Sequence, residues 1–431
     1  MRIDRLHIEN FKKFERTEKP FEFHPQFTLL VGDNGSGKTS VLDALAVALG
    51  LWHKVAPGSG WRNILPDEIR LVPVLAGDRI HFRPQLPSAI TVEGKIGTRE
   101  NLRWTRMIRE GGTRTTNAEA REAEKSIMDT FQAALQQRAL LPVLAYYGAG
   151  RAWSPTNKRP SGPTSQRKSQ QFDAYHNCLD TRIRDRELNE WFLFETAAAN
   201  GHREGRPGFR AVKQAVLQCV PQADNLRYDS DLKEIVLSIG GFEQPFYNLS
   251  AGQRMMLAMV ADIAIKAVTL NSYSYGLEEP GANNPMYVLR NSPGVVLIDE
   301  LDVHLHPKWQ RRVATDLKST FPGIQFICTS HSPQVIGEVK PEEVRMLEGG
   351  EVTTPTRTFG IDSDRVLDEL MDGSSRNQRT KEKLGELAAA VDREDFPQSE
   401  KLLKEVEITL GEADPEVTHY RTLISFLRET K

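Results

Sequence analysis

The segment Gly32-Asp33-Asn34-Gly35-Ser36-Gly37-Lys38-Thr39 constrains this chain more than any other feature. It matches the pattern GxxxxGK[ST] at every fixed position, and it lies between an apolar run, residues 27–31, and an apolar helical stretch, residues 41–49. A strand, a glycine-rich turn and a helix in this order place backbone N–H groups around phosphate oxygens. Lys38 is expected to reach the β- and γ-phosphates of a nucleotide, and Thr39 to bind Mg²⁺. The predicted nucleotide contacts in this loop are Asn34, Gly35, Ser36, Gly37, Lys38, Thr39 and Ser40. A glycine-rich turn with a chance Lys-Thr pair is the alternative.

Length and charge limit the remaining possibilities. The 431 residues suggest two or three structural units, and 39% hydrophobic with 26% charged residues indicates a globular chain. The net charge is −2, so bulk charge does not mark a nucleic-acid binder. Residues 361–431 hold 17 acids and 11 bases, a charge of −6, which leaves +4 for residues 1–360. This asymmetry predicts a separate C-terminal module.

The location expected from the sequence is the cytoplasm. The N-terminus is charged from its first residues, unlike a secretory signal. Asp262 and Lys266 interrupt the longest apolar run, residues 255–268, so no membrane span of ~18 residues is expected. Three cysteines without CxxC spacing predict neither a zinc site nor a disulfide framework.

Two carboxylates follow the apolar run of residues 295–298. An apolar strand there would deliver Asp299 to the carboxyl edge of a sheet beside the phosphate loop, where it would hold Mg²⁺. Glu300 would polarise the attacking water. Taken alone, the pattern is equally consistent with a strand that runs into an acidic turn.

The segment Leu249-Ser250-Ala251-Gly252-Gln253-Arg254 precedes an apolar helix. Ser250 can cap that helix, and the small residues after it leave backbone N–H groups open, which predicts a second anion site. An ordinary capped helix is the alternative.

In their order along the chain, these motifs resemble those of ABC-type ATPases. Residues 249–254 are similar to the LSGGQ signature, with Ala251 in place of its first glycine. Leu301-Asp302 looks like the D-loop, and Thr329-Ser330-His331-Ser332-Pro333 like the switch-histidine loop. The resemblance covers residues 1–50 and 245–350, and no Q-loop glutamine can be placed. It implies an α/β P-loop ATPase head with a mixed β sheet, an inserted helical lobe and a C-terminal helical module.

The resemblance also implies how such a chain would work. ATP and Mg²⁺ are the expected cofactors, and a head-to-tail dimer would place Ser250, Gly252 and Gln253 against the ATP of the partner. Lys38, Glu300 and His331 would be catalytic, with Glu300 activating water and His331 sensing the γ-phosphate. The expected reaction is hydrolysis of ATP to ADP and phosphate, slow or regulated.

The opening Ile8-Glu9-Asn10-Phe11-Lys12-Lys13-Phe14 resembles that of RecF, SMC and related DNA-repair ATPases. Residues 300–307 resemble a second motif of that group. Residues 146–151 resemble a Tyr/Arg segment of the overcoming-lysogenization-defect (OLD) and RecF-like ATPases. The C-terminal pattern of residues 361–367, 395–396 and 411–416 resembles the tail of the PtuA-type ATPases of Septu antiphage defence, and retron-associated ATPases share this body plan. A separately encoded HNH nuclease would then be the partner, and DNA would be met through the complex. A repair ATPase acting directly on DNA and an ATP-sensing scaffold with little turnover are the alternatives.

The expected organisation has four parts: residues 1–150 with the phosphate loop and a β-rich insert, 151–245 as a loop and helical lobe, 246–360 with the remaining motifs, and 361–431 as the acidic helical module. Possible nucleic-acid or partner contacts are Arg151, Lys158, Arg159, Arg167 and Lys168, although the pattern favours a solvated surface loop. Residues 101–114 are expected to form a ribbon with an outward basic face. The amphipathic tail helices are expected to pack on the body or to form oligomers, with partner docking second.

Overall fold

The computed structural model describes residues 1–54, 56, 62–76, 79–150, 171–198, 206–276, 284–371, 373 and 376–429. The strands are β1 Arg2–Phe11, β2 Phe14–Arg16, β3 Phe21–Glu22, β4 Phe27–Val31, β5 Leu71–Ala76, β6 Arg79–Pro84, β7 Ser88–Ile96, β8 Arg99–Ile108, β9 Thr116–Glu119, β10 Val143–Tyr147, β11 Ala223–Asp229, β12 Glu234–Ile239, β13 Phe242–Pro245, β14 Gly294–Ile298, β15 Ile324–Thr329, β16 Val344–Glu348 and β17 Glu351–Thr353.

The helices are α1 Lys38–Leu49, α2 Arg121–Leu135, α3 Asp185–Ala198, α4 Pro207–Cys219, α5 Ala251–Asn271, α6 Tyr287–Asn291, α7 Pro307–Thr320, α8 Pro333–Ile336, α9 Ser363–Leu370, α10 Gln378–Asp392, α11 Phe396–Leu410 and α12 Pro415–Glu429. The chain divides into two compact units, Met1–Ile361 and Asp362–Lys431. The finer boundaries expected near residues 151 and 246 stay predictions.

A central sheet in the order β10-β14-β15-β4-β16-β17 carries the nucleotide motifs. Its first five strands run parallel, and β17 is antiparallel to β16. Every residue of β4, β10, β14 and β15 is buried, which explains their continuous apolar sequences. The strands expected at residues 27–31, 294–298 and 325–329 are therefore confirmed.

A second sheet, in the order β2-β1-β7-β8-β9, is antiparallel, and β3 pairs with Arg5 and Leu6 of β1. Helix α1 packs between the two sheets, against β1 and β7 on one side and β14 and β15 on the other. This position buries ten of its twelve residues and explains why its sequence is apolar all round. The helix that begins at the phosphate loop is thereby held against both sheets.

The helix that follows Ser250 is confirmed as α5. By length and composition, residues 251–274 could cross a membrane, but 72% of the most apolar window is buried inside the molecule. Helix α5 packs against α4, α3 and β10, so its apolar sequence serves the protein core.

Helix α2 begins only at residue 121, because Thr116–Glu119 pairs with β8 as a strand. Strands β11 and β12 pair with each other. The short helix α6 ends shortly before β14 begins.

The basic face expected on residues 101–114 is present in part, because Arg103, Arg109 and Arg114 are exposed but Arg106 is buried. Arg106 is 1% exposed, and its guanidinium donates to Arg62 O at 2.6 Å and Asn63 Oδ1 at 2.6 Å. Trp104 is also buried, because α1 covers this sheet on one face and α2 contacts β8. Neither side chain is accessible to DNA.

The C-terminal unit has its own apolar core, built from the periodic residues seen in the sequence. The buried members are Leu384, Leu387, Ala390, Val391, Leu402, Leu403, Val406, Val417 and Ile424, with Leu410 partly buried against them. The tail helices therefore pack on one another, and Asp362 caps the first of them by accepting from Arg365 N at 3.0 Å.

Candidate functional site

The carboxyl ends of the parallel strands meet at one edge of the central sheet. Ile298 is in register with Cys328, and Cys328 with Leu29, so the chain segments after β14, β15 and β4 leave the sheet side by side. These segments are the carboxylate pair, the histidine loop and the phosphate loop. The fold thus gathers three of the predicted motifs where α/β proteins bind ligands.

In the phosphate loop, Lys38 is held by the loop's own backbone. Its Nζ donates to Gly32 O at 2.7 Å and to Asp33 O at 2.9 Å, and the residue is 7% exposed. Burial lowers the pKa of Lys38, and the nearby carboxylate of Asp299 opposes that shift. An ammonium group kept in a desolvated loop interacts strongly with an incoming anion.

The hydroxyl of Ser36 supplies the test of whether this loop fits a phosphate. Its Oγ is buried and has no hydrogen-bond partner among the described residues. A buried unpaired hydroxyl costs free energy unless a ligand or water satisfies it. Ser36 and Lys38 therefore form a donor set that a phosphate group would satisfy.

The turn between β1 and β2 covers the phosphate loop. Lys13 Nζ donates to Gly35 O at 2.5 Å. Gly37 has φ of 108°, and a Cβ there would lie 2.8 Å from both Lys13 Cδ and Phe14 Cζ. Glycine is needed at this position for its backbone conformation and for the close approach of the turn. Lys13 belongs to the opening segment that resembles RecF and SMC ATPases, but the sequence did not predict its contact with the phosphate loop.

The oxygen ligands expected for Mg²⁺ are adjacent. Thr39 Oγ1 donates to Asp299 Oδ2 at 3.0 Å, and Thr329 Oγ1 donates to Asp299 Oδ1 at 2.7 Å. The described part of the chain contains no group of three or more His, Cys, Asp or Glu residues that could hold a metal. A cation here would rely on Thr39, Asp299, water and the phosphates, which is how Mg²⁺ usually binds. Sequence reasoning missed Thr329, which stands at the end of β15.

Glu300 is held by its backbone in a left-handed conformation, with φ of 49°. Its N–H donates to Thr329 Oγ1 at 2.7 Å, and Leu301 N donates to Thr329 O at 2.8 Å. A non-glycine residue in this region stores strain that the surrounding contacts must hold, and such strain clusters at functional sites. Thr329 thus positions both carboxylate residues.

Asp302 connects the D-loop to the histidine loop. Its Oδ1 accepts from Ser330 Oγ at 2.6 Å and from His331 N at 3.3 Å. Ser332 caps α8 by accepting from Val335 N at 3.3 Å. The backbone of His331 is therefore fixed from both sides, beside Asp299 and Glu300.

The signature segment forms a complete helix cap. Gln253 N donates to Ser250 Oγ at 3.3 Å, and Ser250 N donates to Gln253 Oε1 at 2.9 Å, a reciprocal capping box. Ser250 is exposed, while Gly252 is buried against the backbone that follows the D-loop. A Cβ on Gly252 would lie 2.5 Å from His304 O, so only glycine permits this contact.

Two neighbouring tyrosines at the end of β10 are structural. Tyr146 OH donates to Asp43 Oδ1 at 3.1 Å, and Tyr147 OH donates to Asp262 Oδ2 at 2.6 Å. Burial raises the pKa of Tyr146, so it stays protonated as a donor. The proposed contacts Arg151, Lys158, Arg159, Arg167 and Lys168 lie outside the described residues.

Comparison with known families supplies the final observation. The model of an AAA domain matches residues 5–200, and a second model, "AAA domain, putative AbiEii toxin, Type IV TA system", matches residues 220–337. The chain is 23% identical to the probable ATPase of retron Ec83 from Escherichia coli, over 87% of this chain and 77% of that one. This chain is an ATPase of the RecF, SMC and OLD-like branch, related to PtuA.

Two further relatives are a second retron ATPase and a PtuA protein. The chain is 24% identical to the probable ATPase of retron Vc95 from Vibrio cholerae, over 80% of this chain and 73% of that one. It is 29% identical to the Septu protein PtuA of Bacillus mycoides, over 32% of this chain and 17% of that protein. Its two AAA matches span both groups of motifs, and the phosphate loop lies within the first.

Proposed function

We propose that two copies of this ATPase close head to tail around two ATP–Mg²⁺ and that this switch controls a separately encoded nuclease of the HNH type in antiphage defence. The observation that carries the dimer is the separation of contacts within one protomer. Within one protomer, Lys38 bonds the backbone of its own loop, and Asp299 accepts from Thr39 and Thr329. The Ser250 cap contacts its own helix, and Gly252 packs on His304. The exposed start of this helix would offer its N–H groups to the nucleotide of a partner.

The roles proposed for the residues follow from their geometry. Lys38, Ser36 and the loop N–H groups bind the phosphates, and Thr39 and Asp299 hold Mg²⁺. The bound cation neutralises charge on the phosphate oxygens. Glu300 accepts a proton from the attacking water, and His331, fixed by Asp302, donates towards the terminal phosphate. The partner's signature helix adds Ser250 and its positive end, so that hydrolysis waits for closure.

The nuclease partner is supported by similarity to the retron and Septu relatives. It is tested by co-expressing the tagged ATPase with an HNH protein from the adjacent reading frame, where the proposal expects one, and measuring both co-purification and plasmid cleavage. The proposal expects a stable complex whose cleavage changes when Glu300→Gln traps ATP. Separate elution of the two proteins, with cleavage indifferent to Glu300→Gln, would reject nuclease control.

A phosphate-release assay separates this proposal from a repair ATPase. Burial of Trp104 and Arg106 removes part of the surface that direct DNA binding would use. We therefore expect the rate of ATP hydrolysis by the chain alone to change less than about twofold when linear duplex DNA is added. The reason is that charge neutralisation around the γ-phosphate of ATP, and not contact with DNA, sets this rate. A tenfold stimulation would favour direct action on DNA, and ATP binding without turnover would favour a sensing scaffold.

A further inference from the structure

Strands β5 and β6 form a ribbon that has two different faces. The pairs Leu71–Pro84, Pro73–Phe82 and Leu75–Ile80 lie directly opposite each other, so their side chains share one apolar face. The pairs Val72–Arg83, Val74–His81 and Ala76–Arg79 place the basic residues on the other face. The two strands form a sheet of their own in the described part of the chain.

The apolar face of this ribbon is exposed to an unusual degree. The exposed fractions are 51% for Leu71, 74% for Leu75, 65% for Ile80 and 67% for Phe82. Side chains of this size carry on the order of 150–200 Å² each, so the face exposes on the order of 450 Å². Patches of this extent on a protein surface mark interaction sites, and a lone two-stranded ribbon gains stability when its face is covered.

The base of the ribbon is attached to the support of the phosphate loop. Arg70 N donates to Asn10 O at 3.0 Å, and Lys12 N donates to Glu68 O at 2.6 Å. The next residue, Lys13, contacts Gly35 of the loop itself. The ribbon therefore extends from the edge of the molecule that carries the nucleotide site.

The sheet β11-β12-β13 immediately precedes the signature segment and is acidic. Residues 223–248 hold five acids, Asp224, Asp229, Asp231, Glu234 and Glu243, and two bases. Tyr247 is 42% exposed and lies three residues before Ser250, and Leu232 is 54% exposed. Asp185 and Glu234 lie close enough to Tyr247 to add to the rise in its pKa that burial causes.

We propose that the β5–β6 ribbon of one protomer docks on the acidic surface around Tyr247 and Leu232 of a second copy of this chain. The inference rests on the proposed head-to-tail dimer, which brings a phosphate loop against the partner's signature and so brings the ribbon against the adjoining sheet. The apolar face packs on Leu232 and Tyr247, and the long arginine side chains reach around the ribbon edge to the acids.

The area of this contact implies that ribbon docking depends on ATP. Each docked ribbon covers on the order of 450 Å² of its own apolar surface, below the roughly 800 Å² that each partner buries in a stable interface. Ribbon docking therefore adds to the nucleotide-filled interface and does not replace it. The ribbon would be free without ATP and docked with it.

The test measures dimerisation by sedimentation in the Glu300→Gln background, with and without ATP. The ribbon variant is Leu75→Ser/Ile80→Ser/Phe82→Ser. The matched control is Met128→Ser/Leu135→Ser on α2, whose side chains are 49% and 64% exposed. We expect the ribbon variant to bind ATP normally and to raise the dimer Kd at least about tenfold, with the control unchanged.

A charge exchange identifies the docking surface. Arg79→Glu/Arg83→Glu should weaken the dimer, and Asp231→Lys/Glu234→Lys on the partner should restore it. Native dimerisation by the ribbon variant would overturn the inference and leave the ATP-dependent dimer standing. Failure of the protein with the native ribbon to dimerise with ATP would instead reject the proposed function.

Discussion

Thr329, Asp302 and Lys13 determine how the predicted catalytic residues are placed. Thr329 bonds both Asp299 and the backbone of Glu300, and Asp302 fixes the backbone of His331. The sequence placed all three residues inside motifs of the resemblance but did not predict these contacts, because single threonine, aspartate and lysine residues have no distinctive spacing. Their roles follow from the register of β14, β15 and β4, which the sequence does not reveal.

Glu300→Gln separates binding from hydrolysis. Glutamine keeps the shape of the side chain but cannot accept a proton, so ATP should bind while kcat falls by about 10²–10⁴. Lys38→Ala serves as the comparison, since it should remove ATP binding itself. Equilibrium binding and phosphate release measure the two effects, and unchanged turnover in Glu300→Gln would refute its role.

Lys13→Met tests the clamp on the phosphate loop. Methionine retains most of the apolar stem that contacts Gly37 but loses the ammonium that bonds Gly35 O. We expect KM for ATP to rise about three- to tenfold and kcat to change less than about twofold. A hydrogen bond from a charged group contributes up to about 3 kcal/mol, which sets an upper limit on the loss of binding free energy. Lys19→Met, on the same stretch of chain, is the control. A fall in kcat without a change in KM would contradict a binding role.

Among the elements, those with a strong local pattern were predictable. The strands at residues 27–31 and 294–298 are fully apolar, and Ser250 with Gln253 three residues later predicts the start of α5. In residues 101–114, the outward basic face was predicted correctly for Arg103 and wrongly for Arg106. Trp104, Thr105 and Arg106 are all buried, since the sheet is contacted by helices and Arg106 finds four acceptors inside.

Leu387→Ala tests whether the C-terminal unit is held by its own core. Leu387 on α10 is 0% exposed within that core. Its truncation should lower the free energy of unfolding of this unit by about 2–5 kcal/mol. Ile408→Ala, at a position that is 86% exposed, is the control and should change it by less than about 0.5 kcal/mol. Thermal unfolding followed by calorimetry measures both, and equal effects would mean that the packing is not what stabilises the unit.

At the scale of the whole molecule, the account depends on one protomer lacking a finished site. The phosphate loop, the carboxylates and the histidine loop lie together at one sheet edge, whereas the signature helix is supported by His304 and its own cap. The order of the motifs, together with the resemblance to ABC-type ATPases, predicted this separation of the signature helix from the other motifs. The ribbon beside the phosphate loop was not, because exposure of an apolar strand cannot be read from its sequence.

Mixing two inactive variants tests this division most directly. Lys38→Ala destroys the phosphate loop, and Ser250→Arg blocks the signature helix, so neither protein alone should hydrolyse ATP. In a mixed dimer, one site combines an intact loop with an intact signature, and an equal mixture should recover about a quarter of native activity if the two sites act independently. Phosphate release from the mixture measures this recovery. An activity no greater than the sum of the two separate variants would contradict a site shared between protomers.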